Sequence, residues 1–113
     1  MAYTNEAVTS YVVVHYSSGG EGDGRGRRSY ISLVGAAGQR IGGLYFYEDP
    51  GAMPNEDSRN STGFVYLHNP VSAYPHVLDL LRNESPVYLR YDDDRNRGWL
   101  ATSSEPVGEE ESP

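Results

Sequence analysis

At 113 residues and a formal charge of −7, the chain has room for one domain with one modest core. It holds no cysteine and no lysine: its nine cations are all arginine, set against sixteen carboxylates. Disulfides, thiolate nucleophiles, cysteine metal sites, the lysine-bearing P-loop and lysine Schiff bases are thereby excluded.

The N-terminal residues, Met1 to Glu6, lack the basic and apolar regions of an export signal. With Met1 as the natural start, the expected location is the cytoplasm. No apolar run approaches the roughly eighteen residues of a membrane span, so no membrane partner is expected. Thr9 to Tyr16, centred on Val12-Val13-Val14, is the first predicted strand. A Gly-rich stretch over 17–28 reads as a flexible loop. Ser29 to Val34 and Arg40 to Tyr47 follow as strands joined by the Gly35-to-Gly38 turn. Gly42-Gly43 within the second predicts a bulge or sharp bend. Residues 48–62, with Pro50, Gly51 and Pro54, read as a second irregular loop, and Gly63 to His68 as a further strand.

Then the period changes. Tyr74, Val77, Leu78 and Leu81 share one helical face. Ser72 is the expected N-cap, Pro75 sits in the first turn, Asn83 offers a left-handed stop and Pro86 forbids continuation. Pro86 to Tyr91 and Gly98 to Thr102 form a final hairpin. Residues 105–113 read as an acidic solvated tail. The expected fold is mainly β, a curled antiparallel sheet or part-closed barrel of about six short strands. One helix lies between the fourth and fifth of them, within a single domain over 1–104.

Motifs that would carry chemistry each lack a required residue. Gly20, Gly22, Gly24 and Gly26 alternate without the dinucleotide spacing, and a strand follows them rather than a helix. Arg25, Arg27 and Arg28, beside abundant Tyr, suggest an anion site or a weak single-stranded nucleic-acid binder. Charge opposes the latter, since residues 1–104 still carry twelve carboxylates against nine arginines. Asp92, Asp94 and Asn96 stand at the first three ligand positions of a calcium loop. Arg97 occupies the required glycine position and Ser103 the required glutamate, so a solvated turn is the simpler reading. His15, His68 and His76 form no metal-binding spacing, although His68 and His76 flank the helix start and could share a pocket. No nucleophile lies in an activated context. The reading is of a non-enzymatic chain that needs no cofactor.

The ten tyrosines are the most informative feature. With Ile31, Leu33, Leu44, Phe46, Val65, Leu67, Val87 and Leu89 facing inward, the alternates are Tyr30, Tyr45, Tyr47, Tyr66 and Tyr88. Outward strand positions ordinarily carry Thr, Lys or Glu. A phenol joins a large apolar ring to a polar tip, which suits interfaces and half-buried surfaces. Cross-strand packing, self-association as a homodimer, and a protein or small-molecule site beside Arg90 and Trp99 are the three readings open to this face. The expected function is a small binding or assembly module; its rival is a ligand-binding barrel or enzyme with a pocket near His68 and His76.

Overall fold

The computed structural model describes residues 3–17 and 26–104. The acidic tail and Arg25 lie outside them. Strands β1 (Tyr3–Val8) and β2 (Ser10–His15) are separated only by Thr9, yet enter different sheets. Thr9 makes this corner by donating its N–H to the Val34 carbonyl at 2.8 Å and its hydroxyl to the Gly35 carbonyl at 2.9 Å. β3 (Arg27–Val34) and β4 (Arg40–Tyr47) form a hairpin whose turn places Gly38 at φ +83°. There follow β5 (Ser58–Arg59), β6 (Val65–Pro70), helix α1 (Tyr74–Asn83), and the hairpin of β7 (Val87–Asp92) and β8 (Arg97–Thr102).

The strands make two sheets. One has five strands in the order β2-β3-β4-β6-β5; the other has three in the order β1-β7-β8. The expected mainly β class holds, but the single curled sheet or part-closed barrel does not. β1 and β5 raise the strand number to eight, so the helix follows the sixth strand rather than the fourth. Both additions are physically quiet in sequence. β1 reads Tyr-Thr-Asn-Glu-Ala-Val, with no apolar alternation, and is extended because the edge of β7 pairs with it from Val8↔Val87 to Tyr3↔Asp92. β5 is only two residues long. The five-stranded sheet is also mixed, because β6 runs parallel to β4. Residues 48–64 make that crossover, and the predicted irregular stretch within them holds a 3-10 turn at Pro50–Ala52, capped by the Asp49 carboxylate, as well as β5.

All eight predicted inward residues are buried, and their two sheets meet face to face. The helix lays Tyr74, Val77, Leu78 and Leu81 against the same core, with Tyr74 edge-on to Phe46 at 5.1 Å between ring centroids. Its ends differ from expectation. A 3-10 turn over Val71–Ala73 leads into it, so Ser72 is not the cap. At the other end the Glu84 N–H closes on the Leu80 carbonyl, and Asn83 keeps a negative φ.

The bulge expected near the glycine pair lies at Ile41: Val34 pairs with Arg40 and Leu33 with Gly42, leaving one extra residue. Gly42 itself serves close approach. A Cβ there would stand 2.8 Å from Leu89 Cδ2 on the facing sheet and 2.8 Å from the Val65 carbonyl oxygen. Gly42→Ala should therefore destabilise the fold by about 1–3 kcal/mol through overpacking. Urea unfolding measures this; an unchanged midpoint would mean that the sheets can part without cost.

Candidate functional site

With the core on one side, the opposite side of the five-stranded sheet faces away from both the helix and the three-stranded sheet. Strand register puts Val14, Tyr30, Tyr45 and His68 in one cross-strand row, and Val12, Ser32, Gly43 and Tyr66 in the next. The aromatic rings form a continuous strip. Tyr16 lies 6.4 Å from Tyr30, Tyr30 lies 5.7 Å from Tyr45, Tyr45 lies 5.8 Å from Tyr66, and Tyr66 lies 4.9 Å from Phe64, centroid to centroid. Each is half-buried. Gly43 makes the strip flat: the Tyr45 ring lies back over it, and a Cβ at residue 43 would meet the phenolic oxygen at 2.9 Å. An aromatic ring covering a strand glycine is a known way to shield exposed backbone.

A polar cluster borders the central ring of the strip. The Arg27 guanidinium sits 4.2 Å above the Tyr45 ring, and its Nε donates to the Tyr47 hydroxyl at 3.3 Å. The same hydroxyl lies within hydrogen-bond distance of His68 Nδ1, at 2.9 Å. Burial holds the His68 pKa below 6.5; the Arg27 charge acts in the same sense and Asp57 opposes it. Burial likewise raises the Tyr45 phenol above 10.0, with Arg27 opposing.

Not all the sequence-predicted residues share this face. Tyr30, Tyr45 and Tyr66 do. Tyr47 is on the same side but only 3% exposed, close to Gly26, which itself packs on Ala52. Tyr88, Arg90 and Trp99 belong to the outer face of the three-stranded sheet. There Arg90 sits 5.6 Å from the Tyr88 ring and donates to Asn5 Oδ1 at 3.1 Å, and Trp99 lies 6.3 Å from Tyr3. The single phenol surface is therefore two, and Arg27 rather than Arg90 is the cation of the larger one. Tyr16, Phe64 and Arg27 are additions to the site. Phe64 was legible, since it alternates with the inward Val65.

His68 and His76 do line one groove of about 310 Å³, with Leu67, Val77, Leu80 and Trp99. The His68 ring, however, is engaged by Tyr45 and Tyr47 at 6.1 and 5.7 Å. The calcium-like loop is a turn: Asp92 Oδ1 accepts the Asp94 N–H at 2.9 Å, Asn96 adopts φ +51°, and its side chain meets the Tyr91 hydroxyl at 3.2 Å. Among the described residues, no three of His, Cys, Asp or Glu gather as a metal site requires. No helix among them is long and apolar enough to cross a membrane. Comparison with protein-family models, curated proteins and solved structures finds no match to this chain.

The depressed His68 pKa makes stability depend on pH. The unfolded state takes up the proton first as pH falls, so the neutral imidazole's contribution is present above 6.5 and is lost as pH drops through the lowered folded-state value. His68→Gln should have a shallower loss of stability than the wild type between about pH 7.5 and 5.5. Parallel urea titrations at the two pH values give the comparison; identical slopes would refute it.

Proposed function

We propose that this chain is a non-enzymatic binding and assembly module that engages its partner through the aromatic strip and self-associates as a homodimer. The observation that carries the reading is the strip itself: five rings, three of them on β3, β4 and β6 and two on the residues flanking β2 and β6, on the sheet face turned away from the helix and the second sheet. Half-buried rings held in register lose little freedom on binding, and their flat apolar faces suit stacking against an extended ligand. A peptide strand or a saccharide chain offers such repeating faces. A single-stranded nucleic acid fits less well, because it requires phosphate neutralisation and this chain carries net negative charge.

A second reading has one specific observation in its favour. The groove that joins His68, His76 and Trp99 is large enough for a small planar ligand. Trp99 is the only tryptophan and borders this groove, so its emission is a probe of occupancy there.

Amide NMR titration with proline-rich peptides, chito-oligosaccharides and oligodeoxythymidine tests the two together. The strip reading expects shifts on β3, β4 and β6, and a loss of affinity of at least about tenfold in a Tyr30→Ser/Tyr66→Ser double variant. Shifts confined to α1 and β8, with a change in Trp99 emission, would move the function to the groove.

A further inference from the structure

Among the described residues, β2 is the sheet edge that carries none of the usual protection. β5 is two residues long, β1 carries Glu6 at its middle, and β8 opens with Arg97. Short edges and edge charges are the usual barriers to unwanted strand pairing. β2 reads Ser-Tyr-Val-Val-Val-His over six residues, without Asp, Glu, Arg or Pro. Val12 and Val13 are 48% and 39% exposed, and no described strand pairs with its outer edge. In a chain of charge −7, an uncharged edge is where two copies can meet without direct repulsion.

We propose that two copies of this chain pair antiparallel along β2, about a twofold axis perpendicular to the sheet that passes between Val13 of one copy and Val13 of the other. This contact rests on the homodimer reading above and gives it a location. The register follows from the backbone. The Tyr16 N–H donates to the Arg28 carbonyl at 3.1 Å, so the even-numbered residues of β2 face β3. By the alternation of an antiparallel ladder, the N–H and C=O groups of Tyr11, Val13 and His15 face the open edge. A twofold axis normal to the sheet keeps each face on its own side, so opposed residues have equal parity and the axis falls between a residue and its own copy. Centring on Val13 pairs Val13 with its copy and Tyr11 of one copy with His15 of the other, using every outward-facing group of the strand. Centring on Val12 would instead oppose His15 to Thr9, whose N–H is already given to Val34.

The consequence is a ten-stranded sheet with both aromatic strips on the same side. Val12 and Val14 lie across the seam, between the Tyr16 and Tyr30 rings of the two copies, and an extended ligand meets one surface of doubled length.

Sedimentation equilibrium of the full chain is expected to show a reversible dimer. Val13→Lys, which sets two ammonium groups together at the axis, should weaken it at least about tenfold while leaving the far-ultraviolet circular dichroism unchanged. Tyr30→Ser/Tyr66→Ser should leave the dimer intact. Because the chain has no cysteine, a nitroxide on Val12→Cys reports the seam without relying on the lysine variant. Dipolar broadening that disappears on dilution with unlabelled protein supports the edge contact. A chain that is monomeric at every concentration overturns it, even if the strip still binds peptide or saccharide. So does a dimer that survives Val13→Lys and is dissociated by the two serine substitutions, which would place self-association on the face instead. A β2 dimer with no ligand shifts on β3, β4 and β6 would uphold the edge and remove the binding reading.

Discussion

One carboxylate holds the two sheets in register. Asp57 Oδ1 accepts the N–H of His68 at 2.9 Å, and Oδ2 accepts the N–H of Gly98 at 2.9 Å. The first donor is on β6 just beyond the reach of the short β5, and the second is on β8 of the other sheet. Strand N–H groups removed from water need acceptors, and here a single side chain supplies both. Two more contacts reinforce the joint. The Tyr91 hydroxyl reaches the Asp57 carbonyl at 3.3 Å, and Arg59 donates to Thr4 Oγ1 at 2.9 Å while pairing with Asp93 and lying 5.2 Å from the Tyr91 ring. Gly98 is needed at that joint because the Leu67 side chain occupies the space a Cβ would take.

The aromatic strip depends on this arrangement indirectly. By anchoring β8 against β6, Asp57 commits one side of the five-stranded sheet to the core, and the phenols must occupy the other. Burial of that outer side is then generated within it, ring against ring, with Arg27 over Tyr45 as a cover. The same crowding lowers the His68 pKa and raises that of the Tyr45 phenol. Such a surface is rigid without being sealed, which is the property a stacking site requires.

The sequence showed the core well and the architecture poorly, for reasons that can be located in particular residues. Residues such as Ile31, Leu33, Val65 and Leu89 alternate strictly with polar or phenolic neighbours, and period-two alternation is legible wherever one face is buried. The helical stripe from Tyr74 to Leu81 was clear for the same reason. The partition into two sheets was not, because it turns on Thr9, a single residue whose side chain bonds the Val34 and Gly35 carbonyls at the corner. Nor could alternation say that Tyr88 and Tyr66 face opposite sides of the molecule, since period two assigns a face within a sheet and not between sheets. Asp57, in a stretch that read as irregular, gave no local signal at all: its partners are 11 and 41 residues away.

The pairing of β1 with β7 also constrains how the molecule is made. Arg90 reaches Asn5 across 85 residues of chain, and the whole of β1 depends on partners at that separation. During synthesis β1 would wait unpaired until β7 had been made, whereas β3 and β4 could close as soon as they appeared. The five-stranded sheet is therefore the part able to form early, and the three-stranded sheet completes the fold only once its last hairpin arrives.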